Sequence, residues 1–177
     1  MFKRLLFAVL LLASADVLAE GFYVDSKDIQ GQLGIDQVFN SFGCEGNNVS
    51  PQLSWANAPA GTKSFAVTAY DPDAPTGSGW WHWVVFNIDK SVDGFKAGAS
   101  NSDMPKGAVE SVTSYGSKGF GGACPPVGDK AHRYIFTVYA LDTEKIEQGP
   151  EARPELVGFF INSHTIARAS IIAYYGR

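Results

Sequence analysis

The sequence has few basic residues, and they form no cluster beyond the first few positions. Lysine and arginine together number 14, against 18 aspartate and glutamate residues, which gives a formal net charge of −4. A nucleic-acid-binding protein is expected to carry a basic patch or stripe. The absence of such a cluster, together with the mild net acidity, argues against nucleic acid as a partner.

Long apolar runs are also absent after residue 19, whereas a membrane-spanning helix needs about 20 apolar residues. The first residues have a different pattern: Lys3 and Arg4 are followed by the short apolar run Leu5–Ala13 and then by Val17-Leu18-Ala19. This order of basic start, apolar run and small-residue site is typical of an export signal. It predicts a signal peptide over residues 1–19, cleavage after Ala19 and a periplasmic or secreted product. The alternative is that the run forms part of the core.

Cysteine is scarce, with Cys44 and Cys124 as the two examples, each in a glycine-rich loop. In an oxidising compartment, an even number of cysteines favours a disulfide bond. The alternative is a pair of unrelated thiols. A two-cysteine metal site would need further ligands at close spacing, and neither loop supplies them. We therefore predict a Cys44–Cys124 disulfide and no metal.

The remaining chain, residues 20–177, has the length of one domain and contains no repeat or linker that would divide it. Turn residues separate short runs rich in β-branched and aromatic residues, which indicates a mainly β fold. One helix is predicted over Pro154–Ser163, with Leu156, Phe159 and Phe160 on one apolar face. The predicted strands are Ser64–Tyr70, Trp81–Ile88, Arg133–Leu141 and Ser170–Tyr175.

Polar groups concentrate at the ends of these predicted strands. Asp71–Thr76 follows the first strand with two carboxylates and two prolines, and His82 lies among three tryptophans where the next strand begins. Gly121–Pro126 precedes His132 and Tyr134, which share a face because they are two residues apart on a strand. Each of these side chains alone is compatible with a purely structural role. Their combination at strand ends favours a binding site.

Three of these segments resemble the phosphatidylethanolamine-binding protein family, in particular its bacterial Raf kinase inhibitor-like branch. The resemblance is ordered and covers most of residues 22–175. It implies an antiparallel β-sandwich-like fold with few short helices and one small pocket for phosphate-like anions. The motifs that carry it are Asp71-Pro72-Asp73-Ala74-Pro75, Trp80-Trp81-His82-Trp83, and Cys124-Pro125-Pro126 followed by His132-Arg133-Tyr134, with Asn48-Val49-Ser50-Pro51 and Pro59–Ser64 in support.

The resemblance also implies which residues form the pocket. Imidazole and phenol donors can surround an anion, while apolar walls exclude water and strengthen those hydrogen bonds. A carboxylate repels an anion, so Asp71 is expected to fix an imidazole tautomer and favour its charged form. We expect His82 and His132 to hold the anion as imidazolium donors, so that binding strengthens at lower pH. The implied polar floor is Asp71, His82, His132 and Tyr134, and the implied walls are Pro75, Trp80, Gly122, Pro125 and Pro126.

Some details follow from the family pattern or depart from it. Family members carry a cis peptide at the position of Ala74–Pro75, so the resemblance predicts one here. Trp81 stands where some relatives have a histidine, and His164 matches no pocket position, so we expect it to be structural or exposed. Eukaryotic members have a C-terminal helix beside the pocket, whereas this sequence ends at Tyr175-Gly176-Arg177, which predicts a more open pocket.

The leading hypothesis is an exported binding protein for phosphate-bearing or other anionic small molecules, such as a phospholipid head group, that could also modulate a protein partner. It needs no cofactor and no catalytic residue. An enzyme is the second class, because Asp71, His82 and His132 could act as acid and base or as a metal site. The sequence has no Gly-x-Ser-x-Gly elbow, which argues against a serine hydrolase. The third class is an inhibitor of a secreted hydrolase or a host-interaction protein.

Overall fold

The computed structural model describes residues 21–177 and is built mainly of β-strands. The predicted signal peptide and its cleavage site lie outside the described residues. A short 3-10 helix, Ile35–Gln37, and the α-helix α1, Pro154–His164, accompany the strands. The strands are β1 Tyr23–Asp25, β2 Leu53–Ala56, β3 Ser64–Asp71, β4 Trp80–Asp89, β5 Gly94–Phe95, β6 Val109–Glu110, β7 His132–Leu141 and β8 Thr165–Tyr175.

The strands form two sheets whose neighbouring strands are all antiparallel. The smaller sheet has the order β1-β2-β5, and the larger has the order β6-β4-β3-β7-β8. Trp55 and Phe95 of the smaller sheet share one buried cluster with Val67, Trp83 and Phe136 of the larger sheet. This shared core confirms the predicted antiparallel β-sandwich-like fold.

A second core lies on the opposite face of the larger sheet, under helix α1. Val157 and Ile161 of the helix pack in one cluster with Val84 and Phe86 of β4. The middle strands are therefore covered on both faces. This explains why the sequence of β4 is apolar at consecutive positions instead of alternating with polar residues.

The helix was predicted at the correct place, but of its predicted apolar face only Phe160 packs against the second core. Leu156 and Phe159 are 46% and 64% exposed, whereas Val157, Gly158 and Ile161 are buried. Gly158 faces the Trp81 ring, and a Cβ atom there would lie 3.7 Å from it, an ordinary van der Waals contact. Packing against strand β4 determines the buried face, and the apolar pattern of the helix alone did not reveal it.

The four long strands confirm the predicted segments, with one large difference in length. Strand β8 begins at Thr165, five residues before the predicted Ser170. Helix α1 leads directly into this strand without turn-forming residues, so the sequence gives no signal of the boundary. Pairing with β7, which extends to Leu141 opposite Thr165, defines it instead. Within residues 21–177, no helix is long and apolar enough to cross a membrane.

Candidate functional site

A cavity of about 250 Å³ opens at one end of the larger sheet. Strand β3 ends at this point, and its two antiparallel neighbours, β4 and β7, begin there. This arrangement brings together the polar residues that the sequence places at the ends of strands. The lining residues are Phe42, Asp71, Ala74, Pro75, Thr76, Trp80, His82, Tyr115, Cys124, Pro125, Pro126, His132 and Tyr134.

All predicted pocket residues line this cavity except Gly122, which lies behind its wall. A Cβ atom at Gly122 would lie 2.5 Å from the Gln37 carbonyl oxygen and 2.6 Å from the Phe39 nitrogen, so no larger residue fits. The Gly122 carbonyl accepts a hydrogen bond of 2.9 Å from the Tyr115 hydroxyl. Gly122 therefore supports the lining residue Tyr115 and is not itself part of the lining.

Two lining residues from distant loops, Phe42 and Tyr115, were missed in the sequence. The ring of Phe42 lies 5.6 Å from that of Tyr115, which stacks on Phe39 at 4.1 Å. Phe42 is two residues from Cys44, so the predicted disulfide was a usable signal for it. Tyr115 lies in a turn between Ser114 and Gly116, and no feature of that turn marks it as a pocket residue.

His82 occupies a β-bulge in strand β4. The register pairs Ala69 with Trp83 and then Tyr70 with Trp81, so His82 has no partner on β3. As a result Trp81 packs under helix α1 while Trp83 packs between the two sheets, although they are two residues apart. A bulge can direct a side chain away from the regular alternation of a strand. Here it allows His82 to face the cavity.

The hydrogen bonds of His82 fix its tautomer. Its Nδ1 lies 2.7 Å from the Gly121 carbonyl oxygen and 3.2 Å from that of Gly122. Because carbonyl oxygens only accept, Nδ1 carries the hydrogen and the neutral ring has a lone pair on Nε2. Burial lowers the pKa of His82 to about 4, although the two carbonyls and Asp71 favour the charged form. His82 is therefore neutral at pH 7, which contradicts the expectation of two imidazolium donors.

His132 is held by a carboxylate. Its Nδ1 donates to Asp71 Oδ2 at 2.8 Å, and both side chains are almost completely buried. Its Nε2 lies 3.4 Å from Oδ2 of Asp129, a residue that is largely exposed. The expected role of Asp71 in orienting an imidazole is therefore seen at His132.

The other oxygen of Asp71 orders the segment that leads to Pro75. Oδ1 accepts hydrogen bonds from the backbone N–H groups of Asp73 at 2.8 Å and Ala74 at 3.1 Å. The Thr76 N–H then donates to the Ala74 carbonyl, which closes a tight turn around Pro75. The predicted cis peptide is wrong: no cis bond occurs in residues 21–177, so Ala74–Pro75 is trans. These hydrogen bonds close the turn with the isomer that proline also prefers.

A second carboxylate in the same segment joins it to strand β7. Asp73 accepts from the Arg133 side chain at 2.8 and 2.9 Å and from the Arg133 backbone N–H at 2.9 Å. The hydrogen bond to the Arg133 guanidinium holds the pKa of Asp73 well below its ordinary value. Both partners of this ion pair lie outside the cavity lining and fix the wall from behind.

Two buried hydrogen-bond donors at the cavity have no partner within residues 21–177. They are the indole N–H of Trp80 and the hydroxyl of Tyr134. Burial, followed by the charge of Asp71, raises the pKa of Tyr134, so its hydroxyl keeps its hydrogen. The Cys124 backbone opposes this rise. Buried polar groups are normally satisfied, so these two donors are exceptions at the cavity.

The loop wall of the cavity is fastened by a disulfide. Cys44 and Cys124 are bonded, with their Cα atoms 5.9 Å apart, which confirms the predicted pair. Arg177 donates to the carbonyls of Gly43 and Pro125, so it bridges the same two loops. Asn48 adds a third tie, because its Oδ1 accepts from the Gly122 N–H at 2.7 Å.

The third histidine lies away from the cavity. His164 ends helix α1 and pairs with Asp142 at 2.9 Å, both partly exposed, as expected for a structural or exposed residue. Among residues 21–177, no group of three or more histidine, cysteine, aspartate or glutamate side chains is placed to hold a metal ion.

Known proteins resemble this chain in sequence and in fold. A sequence profile described as phosphatidylethanolamine-binding protein matches residues 26–176. The chain is 49% identical over 172 residues to the UPF0098 protein YbcL of Escherichia coli K12, which covers 94% of each chain. It is 51% identical over 142 residues to the UPF0098 protein YbhB of the same organism, which covers 78% of this chain and 88% of YbhB.

A solved structure agrees with these matches. The crystal structure of Escherichia coli YbcL, described as a new member of the mammalian PEBP family, superposes with a TM-score of 0.87 at 50% identity. The superposition covers 89% of this chain and 99% of that one. The chain therefore belongs to the phosphatidylethanolamine-binding protein family.

Proposed function

We propose that this protein binds a small phosphate-bearing ligand, such as a phospholipid head group, or another small anion, in the cavity at the end of the larger sheet. The observation that carries the proposal is that two residues lining this cavity, Trp80 and Tyr134, have a buried N–H and a buried O–H without a partner within residues 21–177. Leaving a buried donor unsatisfied costs about 1–3 kcal/mol. An oxyanion that accepts from both donors removes that cost.

The walls suit a ligand of this kind. Prolines and aromatic rings surround the polar floor, including Pro75, Pro125, Pro126 and Phe42. Such walls exclude water, which strengthens the hydrogen bonds that a ligand makes. Small-ligand sites in proteins are commonly built from apolar walls with a few fixed polar groups.

The composition of the cavity favours binding over catalysis, so we propose that the protein is not an enzyme. The Thr76 hydroxyl donates to the Gly79 carbonyl at 2.6 Å, and Cys124 is consumed in the disulfide. Burial raises the pKa of both Tyr115 and Tyr134, which makes either phenol a poor nucleophile. The lining residues therefore offer no activated group for covalent attack.

We also propose that the protein is exported. The basic and apolar pattern of residues 1–19 supports this, and so does the Cys44–Cys124 disulfide, because such bonds persist in oxidising compartments. Mass analysis of protein recovered from the periplasm or the medium should find a chain that begins at Glu20. An uncleaved chain confined to the cytoplasm would contradict export.

Calorimetric titration with methyl phosphate tests the binding proposal. Tyr134→Phe removes one donor and keeps the ring, so affinity should fall about tenfold or more, as expected for a lost hydrogen bond to a charged group. Tyr139→Phe is the matched control, because the Tyr139 hydroxyl contacts Thr68 and lies outside the cavity. The control should bind like the wild type.

Folded-state stability adds a second readout. Because the Tyr134 hydroxyl is unpaired in the ligand-free protein, Tyr134→Phe should leave the free energy of unfolding unchanged or raise it. Weaker binding without lower stability separates a ligand contact from a packing role. Equal affinity in the two tyrosine variants, or no binding by the wild type, would contradict the proposed site.

A further inference from the structure

A wider cleft of about 580 Å³ lies at the opposite end of the larger sheet from the cavity. Strand β3 begins beside this cleft and ends at the cavity. Four segments meet there: the start of β3, the end of β4, the loop before β6 and the loop after β7. The sequence contains no run of basic residues in this part of the chain, yet folding brings together four lysines, one from each segment: Lys63, Lys90, Lys106 and Lys145.

Most of these lysines have no acidic partner. Of the eight lysines in residues 21–177, three form ion pairs with carboxylates in that range: Lys96, Lys118 and Lys145. Five lysines remain, and three of these five line the cleft: Lys63, Lys90 and Lys106. Unpaired ammonium groups are therefore concentrated in this cleft.

The sheet places two of the unpaired lysines on neighbouring strands. Ser64 of β3 pairs with Asp89 of β4, so the next residues outward, Lys63 and Lys90, continue the same two strands. The Lys63 N–H also donates to the Leu141 carbonyl at 2.8 Å, which fixes the backbone at this position. Like charges that face each other across neighbouring strands are destabilising. An anion bound between them would relieve this repulsion.

Two carboxylates also line the cleft, but they do not neutralise it. Oδ1 of Asp89 accepts from the backbone N–H and the hydroxyl of Ser91, at 2.8 and 2.6 Å. Neither Asp89 nor Glu144 forms an ion pair in the part of the chain that the structure describes. Four ammonium groups and two carboxylates give the lining a formal charge of +2, whereas the whole sequence has −4. The cleft is a positive region on an acidic protein.

The loop that carries Lys145 is held in place by Asn87 of β4. The side-chain amide of Asn87 donates to the Ile146 carbonyl at 3.1 Å, and its oxygen accepts from the Ile146 N–H at 2.7 Å. Asn87 has a φ of +57°, which is uncommon for a residue with a side chain, and Ile146 is buried. These contacts fix the backbone of this wall before any ligand binds.

We propose that this cleft is a second binding site, for small molecules that carry a chain of two or more phosphates. Lysine binds phosphate as a point charge, and a phosphate chain can place separate charges beside separate lysines. The volume of the cleft falls within the range of about 300–1,000 Å³ that is common for small-ligand sites. The site shares no lining residue with the cavity, so it is independent of the function proposed for the cavity.

Calorimetric titration with inorganic tripolyphosphate tests the site, with methyl phosphate present to fill the cavity. Each exposed charge contact should change the affinity by a factor of about two. Replacement of three lysines by glutamine should therefore weaken binding about tenfold in the cleft variant, Lys63→Gln, Lys90→Gln and Lys106→Gln. Binding by the wild type should also weaken as sodium chloride rises from about 20 to about 150 mM, because salt screens exposed charges.

A matched control variant separates the cleft from the overall charge of the protein. It carries the same change in net charge at lysines that do not line the cleft, Lys27→Gln, Lys96→Gln and Lys118→Gln. The control should bind tripolyphosphate like the wild type. In the wild type alone, the backbone amide resonances of Asn87 and Gly107 should shift on titration, because both residues line the cleft.

The possible outcomes separate this site from the cavity. No binding of tripolyphosphate, or equal weakening in the cleft and control variants, would overturn the proposal. Displacement of tripolyphosphate by methyl phosphate would assign it to the cavity and would also overturn the proposal. A hexaglutamate peptide that binds as tightly, with the same loss in the cleft variant, would overturn the assignment to phosphate chains. Failure of methyl phosphate to bind would contradict only the function proposed for the cavity.

Discussion

His82 and His132 face the same cavity, yet the chain holds them in different ways. His82 lies in a bulge of β4 and donates to backbone carbonyls of the loop around Gly121. His132 starts β7 and donates to the carboxylate of Asp71, which ends the neighbouring strand. The position of His82 therefore depends on a loop that the Cys44–Cys124 disulfide holds in place, whereas the position of His132 depends on the sheet. Two residues of one type thus differ in the group that accepts their hydrogen bond and in what supports them.

Removing the disulfide should have the largest effect, and it should disturb the loop that supports His82 more than the strands that support His132. Replacement of both Cys44 and Cys124 by serine frees a loop closed over 80 residues, and the free energy of unfolding should fall by up to about 4 kcal/mol. Urea unfolding measures the loss, and reduction of the wild type should reproduce it. In spectra of the folded variant, His82 resonances should move more than those of His132. An equally stable variant would show that the loop wall needs no fastening.

The next largest effect is on stability as a function of pH. The pKa of His82 is about 4 in the folded protein, against 6.5 for an ordinary histidine. Between these values the unfolded state binds the proton and the folded state does not, so stability falls as the pH drops from 6.5 to 4. The loss attributable to His82 is on the order of 3 kcal/mol.

Unfolding measured at intervals from pH 7 to pH 4 checks this window. His82→Asn should remove that part of the slope, whereas His164→Asn should keep it. Asp73 affects stability in a separate pH range. A carboxylate with a lowered pKa stabilises the folded state above its ordinary pKa, near 3.8, and this stabilisation is lost as the pH falls below that value. A slope from pH 6.5 to 4 that is unchanged in His82→Asn would assign the proton uptake to another group.

The smallest effect is expected for the ion pair between Asp73 and Arg133, which joins the Pro75 segment to strand β7. Arg133 is about half exposed, so its pair with Asp73 should contribute only a small amount to stability. Arg133→Met should lower stability by that amount at pH 7 and by less below pH 4, where Asp73 is protonated in the variant. Arg168→Met is the control, because Arg168 forms no ion pair within residues 21–177. Equal losses in the two variants would show that the ion pair contributes nothing to the free energy of unfolding.

The sequence predicted the residues of the site that lie at the ends of neighbouring strands. Asp71, His82 and His132 converge because antiparallel neighbours bring the end of one strand beside the starts of the next two. Phe42 and Tyr115 could not be placed in this way, because their positions depend on how two distant loops fold over the sheet. Gly122 was assigned to the lining for a related reason, since its motif does not show which side of the loop faces the cavity.

The chemistry of the two histidines was also outside the reach of the sequence. The tautomer of His82 depends on a carbonyl 39 residues away, and its neutral state depends on complete burial. The buried face of α1 likewise depends on the packing of Val157 and Ile161 against strand β4. In each case a long-range contact decided between local possibilities that the sequence left equal.

The most direct test of the account is nitrogen NMR of the imidazole rings at pH 7, with and without methyl phosphate. In the free protein, His82 should carry hydrogen on Nδ1 and none on Nε2. On titration, the ring nitrogen resonances of His82 should shift, because His82 lines the cavity, while those of His164 stay unchanged. A doubly protonated His82 in the free protein, or a ligand response confined to His164, would contradict the account of this cavity.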